Sequence, residues 1–230
     1  MPPNPALPPL DVLYEDNHLL VVNKRPGIAT QGVTDDEPSV ARLAKEYLKQ
    51  KYSKPGNVYL GVVSRLDAAV SGVLVLARTS KAAARLSEQF RERETSKIYW
   101  AIVERLPRSK SGELVHWVKK DERQQKMVVT TANTSGAQEA RLSFRSLGKV
   151  AAGELLEVDL LTGRKHQIRL QLAESGSPIL GDRKYGSGLS FANGIALHAR
   201  TLTIAHPVSK ESLTFTAPLP PVWQRYGVSE

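Results

Sequence analysis

Residues 65–78 read RLDAAVSGVLVLAR, a short charged segment followed by an unbroken apolar run. The run from Val73 to Ala77 has the length and composition of a buried β-strand. Asp67 is therefore expected beside Arg65 at the edge of a strand, a position suited to a catalytic aspartate. The alternative is a loop aspartate that pairs with Arg65, because a short motif alone is weak evidence.

Three further blocks follow in order: KIYWA at 97–101, LTGRKHQIR at 161–169 and GDRKYG at 181–186. With RLDAAVSG at 65–72, they resemble the ordered motifs of the RluA-type pseudouridine synthases, namely RLD-x-x-x-SG, K-x-Y, TGR-x-HQIR and GD-x-x-YG. The resemblance runs from about Leu10 to about Pro220. An ordered set of four blocks is far more specific than any one of them.

The resemblance implies the α+β pseudouridine synthase fold. We expect a large mixed, mostly antiparallel β-sheet flanked by helices and loops, with a central active-site cleft. Residues 10–230 are expected to form a single catalytic domain, and residues 1–9, which hold five prolines, a flexible leader. The optional N-terminal S4 domain of the family is not expected, since the motifs begin near Leu10.

Composition agrees with an RNA-directed protein. The 230 residues contain 32 Lys and Arg against 23 Asp and Glu, a formal charge of +9, which suits a polyanionic partner. Cysteine is absent, so disulfides, thiol catalysis and cysteine-ligated metals are excluded. The sequence shows neither a secretion signal nor an apolar run of membrane-spanning length, and a cytoplasmic location with no membrane partner is expected.

Periodicity predicts the main elements. Apolar residues at helical spacing predict a helix over 39–52, and a second over 81–92 is expected to pack on the strand after Asp67. For 166–174 a helix is favoured over a strand because Gly163 and Gly176 suit helix boundaries. Strands are expected at 12–14, 19–22, 98–104, 140–146, 155–161, 196–204 and 213–216.

The activity that the resemblance implies breaks the N1–C1′ bond of a uridine in RNA and rejoins the base through C5. Asp67 matches the family's essential aspartate, which acts at C1′ as a nucleophile or as a base and electrostatic stabiliser. Arg169 matches its cationic partner and would favour the ionised carboxylate, with Arg164 as the rival for this pair. Tyr99 matches the tyrosine that lies against the base and takes part in removing the C5 proton.

Other cations are candidates for RNA binding. Arg65 is a candidate to occupy the space that a flipped-out base vacates; the alternative is an ion pair with Asp67 or a nearby acid. The expected substrate-binding residues are Arg65, Arg164, Lys165, His166, Gln167, Lys24 and Lys97. Loop cations that could add to a phosphate track are Arg25, Arg183 and Lys184, each of which could equally be a solvated surface charge.

No His, Asp and Glu cluster has metal-ligand spacing, and His166 and His198 are better read as structural. The implied isomerisation requires no metal and no cofactor. The expected partner is RNA, ribosomal RNA first and transfer RNA second, and the expected oligomeric state is a monomer. Asp182 is expected to shape the turn of its block.

Two departures from the family pattern lie in the catalytic loop. Ser64 stands where the family usually has histidine, and Ala68-Ala69-Val70 replaces the usual Arg-Asp/Pro-Thr. Neither departure changes a residue assigned to the chemistry, so we expect both to alter RNA recognition or the ordering of the catalytic loop rather than catalysis itself. They leave open a catalytically weak RNA-binding homologue or assembly factor; a glycoside hydrolase fits less well, since no second acid lies in a matching block.

Overall fold

The computed structural model describes residues 9–32 and 38–229. Apart from Pro9, the predicted leader falls outside these ranges. The chain divides into two compact units: unit 1 comprises Met1–Thr95 and Leu202–Pro218, and unit 2 comprises Ser96–Thr201 and Leu219–Glu230. Each unit is built around its own set of antiparallel strands.

Unit 1 holds the elements on either side of the RLD block. In chain order they are β1 (Val12–Glu15), β2 (Leu19–Lys24), α1 (Val40–Lys51), β3 (Gly61–Val62), β4 (Ser71–Ala77) and α2 (Ser80–Glu92). β2 pairs antiparallel with both β1 and β4, and β3 pairs antiparallel with β4. The predicted strand after Asp67 is therefore β4.

All seven residues of β4 are buried because helices cover both faces of the β2–β4 pair. Val73 and Val75 pack in the cluster that contains Ala82 and Leu86 of α2, as the sequence predicted. Leu74 and Leu76 point the other way, into the cluster that contains Val40, Ala44 and Leu48 of α1. Two-sided coverage is why the strand is continuously apolar from Val73 to Ala77 rather than alternating.

The two helices of unit 1 begin at side-chain caps. The Ser39 side chain accepts a hydrogen bond from the Arg42 backbone N–H, and Thr79 does the same for Ala82. Such caps satisfy backbone donors that the first turn leaves without partners. α2 thus starts at Ser80, directly after its cap Thr79 and one residue before the predicted start at Lys81.

Unit 2 holds the remaining motif blocks. Its elements are β5 (Ser96–Val103), β6 (Ser111–Asp121), β7 (Lys126–Thr130), β8 (Gln138–Val150), β9 (Gly153–Leu160) and α3 (Gln167–Glu174). The strand order is β5-β9-β8-β6-β7, with each neighbouring pair antiparallel. Leu170 of α3 packs with Val118, Met127 and Ala140 of β6, β7 and β8.

β10 (Leu197–Ala205) passes from unit 2 into unit 1, and β11 (Ser212–Thr216) pairs with it. The fold class is confirmed: the protein is α+β, with a large sheet and few helices. The helical reading of 166–174 is confirmed by α3, whereas β6 and β7 were not foreseen. The central cleft and the single-domain organisation stay predictions. No helix among the described residues is long and apolar enough to cross a membrane.

Candidate active site

The backbone on both sides of Asp67 is held by the last residue of β2 and the segment that follows it. The Thr30 hydroxyl accepts a hydrogen bond from the Leu66 backbone N–H (3.1 Å) and donates one to the Leu66 carbonyl (2.8 Å). The Ala68 carbonyl accepts from the Gly27 N–H (2.8 Å) and from the Lys24 ammonium (3.1 Å). Asp67 therefore lies between two residues whose backbone groups are fixed by the neighbouring segment from Lys24 to Thr30.

Lys24 is 2% exposed at the end of β2. Its ammonium donates to the carbonyl oxygens of Arg25 (2.9 Å) and Ala68 (3.1 Å). Burial lowers the pKa of Lys24 to about 7, and the negative charge of Asp67 opposes that shift. This position favours a role inside the catalytic loop over the phosphate contact expected from the sequence.

Arg65 and Arg25 have exposed side chains, whereas Asp67 is half-buried. The loop turns directly after Asp67, since its carbonyl accepts from the Val70 N–H at 3.0 Å. Ala68 and Ala69, two of the residues that depart from the family pattern, lie inside this turn. Unit 1 thus brings together Asp67, Lys24 and Arg65 from the predicted set.

In unit 2 the guanidinium of Arg169 is held by Asp182. Nε donates to Oδ2 of Asp182 at 2.7 Å and the Nη2 group donates to Oδ1 at 2.9 Å, and both side chains are buried. The Arg169 guanidinium also lies over the Tyr185 ring, 5.1 Å from its centroid. Asp182 does shape its turn, because its carbonyl accepts from the Tyr185 N–H, but its carboxylate also orients Arg169.

The TGR-x-HQIR loop is organised around Gln167. Its Oε1 accepts from the Thr162 hydroxyl (2.7 Å) and the Arg164 N–H (2.9 Å), and its Nε2 donates to the Arg141 carbonyl (3.0 Å). The Arg164 side chain donates to the Glu139 carbonyl at 2.9 Å. Gln167 is buried, so its amide holds the loop, and a direct contact with RNA stays a prediction.

His166 is joined to the same network through Tyr185. Its Nδ1 lies 2.9 Å from the Tyr185 hydroxyl, which also accepts from the Met127 N–H at 3.1 Å. Lys165, between His166 and Arg164 in the chain, is exposed.

Tyr99 and Lys97 lie on β5. Tyr99 is half-buried and stands opposite Val158 of β9 in the antiparallel register. Burial raises the pKa of Asp159 on β9, and the positive charge of Lys97 acts in the opposite direction. Of the remaining track candidates, Lys184 donates to the Gln125 carbonyl and Arg183 to Ser190.

Asp67 belongs to unit 1, and Tyr99 and Arg169 belong to unit 2, so the ion pair of Asp67 with Arg169 and the role of Tyr99 stay predictions. Sequence reasoning missed Thr30, which no motif marks, and Tyr185, although it lies in the GD-x-x-YG block. Within residues 9–32 and 38–229, no group of three or more His, Asp or Glu side chains is placed to hold a metal ion.

Comparison with known proteins decides the family. The family model described as RNA pseudouridylate synthase matches residues 18–174. The dual-specificity RNA pseudouridine synthase RluA of Haemophilus influenzae is 34% identical over 93% of this chain and 95% of its own length. The chain belongs to the RNA pseudouridylate synthase family. The ribosomal large subunit pseudouridine synthase D of Xanthomonas campestris is also 34% identical, over 94% of this chain and 68% of its own length.

Among solved structures, human RNA pseudouridylate synthase domain containing 4 aligns with a TM-score of 0.77 and 26% identity, covering 93% of this chain and 90% of the human one. Against some relatives the chain spans about two thirds of their length. The RluA-type resemblance is confirmed, and the protein is an RNA pseudouridine synthase, an isomerase that acts on RNA.

Proposed function

We propose that this pseudouridine synthase uses Asp67 as the group that acts at C1′ of the target uridine. The observation that carries the proposal is the pair of backbone anchors around Asp67, Thr30 to Leu66 and Lys24 to Ala68. A carboxylate whose backbone is fixed on both sides is preorganised, which is what a group attacking or stabilising C1′ requires.

Arg169 and Tyr99 complete the proposed catalytic set. A guanidinium has five N–H groups, of which Asp182 takes two, so one arginine can serve a second carboxylate. Arg169 would then keep Asp67 ionised until the N1–C1′ bond breaks. Tyr99 would lie against the detached uracil and assist removal of the C5 proton after C5 has bonded to C1′.

For the substrate we propose structured ribosomal RNA, with transfer RNA as the second candidate. Support comes from a relative whose printed name gives the ribosomal large subunit as its target, and from the net charge of +9. We also propose a cytoplasmic monomer. The absence of cysteine suits a reducing compartment.

The test is tritium release from RNA that carries 5-tritiated uridine, because C5 loses its hydrogen when it bonds to C1′. Wild-type protein is compared with Asp67→Asn on separate ribosomal and transfer RNA transcripts. Release is expected to fall by about a thousandfold or more in the variant, since a group that acts directly on the reacting atoms is lost. Asp11→Asn makes the same chemical change at an exposed residue of unit 1 and should release tritium at the wild-type rate.

Equal release by wild type and Asp67→Asn would refute the assignment of Asp67. RNA binding without release by the wild type on either transcript would favour the inactive RNA-binding homologue that the loop departures left open. Release from transfer RNA alone would reverse the order of the two proposed substrates.

A further inference from the structure

We propose that α1 carries a phosphate-binding row, formed by Lys45 and Lys49, that holds the RNA backbone beside the target uridine. This inference rests on the proposed function and names a surface outside the motif blocks. It is carried by three features of unit 1: the faces of α1, its attachment to the catalytic loop and its local charge.

The two faces of α1 differ sharply. Val40, Leu43, Ala44 and Leu48 are buried, while Lys45 and Lys49 lie on the exposed side. Residues four apart share a face of a helix, so the two lysines form one row, with their Cα atoms about 6 Å apart along the axis. Among the described residues, neither lysine forms an ion pair.

The N-terminus of α1 is attached to the segment that holds Asp67 in place. The Val40 N–H donates to the Ala29 carbonyl (2.9 Å) and the Ala41 N–H to the Thr30 carbonyl (3.0 Å). The Thr30 hydroxyl in turn binds both backbone groups of Leu66, next to Asp67. The row therefore starts close to the catalytic loop and leads away from it, with Lys45 about 7.5 Å and Lys49 about 13.5 Å along the helix from Val40.

The charge of this segment suits a polyanion. Residues 42–54 contain five basic residues, Arg42, Lys45, Lys49, Lys51 and Lys54, against one acid, Glu46, a net charge of +4. The Lys51 ammonium is paired with the Glu15 carboxylate at 2.7 Å. The acidic residues 35–37 precede the helix and lie outside the described residues. The proposal concerns Lys45 and Lys49 because both are exposed and neither forms an ion pair among the described residues.

An anchored aromatic side chain stands at the far end of the row. Tyr52 is 44% exposed, its hydroxyl donates to Glu15 at 2.5 Å, and the ammonium groups of Lys51 and Lys54 each lie 5.7 Å from its ring centroid. Cations together with an exposed aromatic ring are the combination that proteins use to hold RNA backbone and bases. An RNA strand is therefore the occupant that this surface fits.

The experiment measures RNA binding as a function of salt for Lys45→Gln/Lys49→Gln. The probe is the ribosomal RNA transcript used for tritium release, with the transfer RNA transcript in parallel. The slope of log affinity against log salt is negative, and each phosphate contact adds about 0.7 to 0.9 to its magnitude. The loss of two contacts should therefore make the slope shallower by about 1.4 to 1.8. With equal affinities at 1 M salt, this change in slope over one decade lowers the affinity at 0.1 M salt by about 25- to 60-fold.

Controls separate this surface from general electrostatics. Lys81→Gln/Lys149→Gln makes the same charge change at two exposed lysines and should keep the wild-type slope. Lys45→Arg/Lys49→Arg keeps both charges and should also bind like the wild type. Glutamine and lysine have similar helix propensity, so α1 is expected to stay folded, which circular dichroism checks.

Catalysis supplies a second readout. The glutamine variant should raise KM by the same factor as Kd and leave kcat unchanged, because the row contacts RNA away from the reacting atoms. An unchanged slope and affinity, or an equal loss in the Lys81 and Lys149 control, would overturn the proposal. Binding is measured without turnover, so failure of this surface is distinguishable from failure of the catalytic assignment to Asp67.

Discussion

Replacing Thr30 by valine tests whether the anchor at Leu66 positions Asp67 for catalysis. Thr30 is 3% exposed, and valine keeps its shape while removing the hydroxyl that binds both backbone groups of Leu66. Each hydrogen bond contributes about 1 kcal/mol, and a buried group left without a partner costs about 1 to 3 kcal/mol. Because Leu66 is half-buried, water replaces part of the loss, and the free energy of unfolding should fall by about 1 to 3 kcal/mol.

The larger consequence is for kcat. A displacement of a reacting group by about 1 Å costs on the order of a hundredfold in rate, and 1.4 kcal/mol corresponds to tenfold. We therefore expect kcat for tritium release to fall by about 10- to 100-fold in Thr30→Val. KM should change by less than about twofold, because Thr30 is buried and is not expected to contact RNA.

Two matched variants make this test specific. Thr30→Ser keeps the hydroxyl and should restore most of kcat. Thr203→Val removes an exposed hydroxyl that bonds to Thr214 on the neighbouring strand and should leave kcat unchanged. A Thr30→Val enzyme that loses stability but keeps the wild-type kcat would refute the positioning argument. So would a loss of kcat that Thr30→Ser does not rescue.

Two further predictions concern buried charges. The folded-state pKa of Lys24 lies near 7, below its ordinary value of 10.5, so its burial penalty is fully present below pH 7 and is relieved as pH rises toward 10.5. The free energy of unfolding of Lys24→Met minus that of the wild type, measured in urea, should therefore be about 2 to 3 kcal/mol larger at pH 6 than at pH 9. The same difference at both pH values would contradict this. Asp182→Asn removes the negative charge and one of the two oxygens that accept hydrogen bonds from the buried Arg169 guanidinium. The free energy of unfolding should therefore fall by about 3 to 5 kcal/mol. Glu157→Gln, which loosens the more exposed pair with Arg145, should cost less than about 1 kcal/mol, and equal losses would count against the argument.

Several elements could be predicted from local sequence because local physics decides them. β4 is apolar from Val73 to Ala77 because helices cover both of its faces, and α1 begins where Ser39 caps it, within one residue of the predicted bounds. In contrast, β6 mixes charged and apolar residues, and its strand conformation depends on partners such as Val129 opposite Val118. Its pairing becomes visible only once β7 and β8 lie beside it.

The candidate site shows the same division. Asp67 and Arg169 could be predicted because each lies in a motif block, and the blocks and their order can be read directly along the chain. Thr30 lies 36 residues from Leu66, and no pattern relates the two until the chain has folded. Lys24 looks in sequence like an exposed loop cation, and only its burial against the Ala68 carbonyl shows that it supports the loop.

The most direct measurement is the nucleoside content of RNA after a single turnover. Ribosomal and transfer RNA transcripts are incubated with excess wild-type protein or Asp67→Asn, digested to nucleosides and separated, so that pseudouridine is quantified against uridine. We predict pseudouridine with the wild type and none above background with Asp67→Asn. Pseudouridine formed by Asp67→Asn at the wild-type rate would contradict the assignment of Asp67 as the group that acts at C1′.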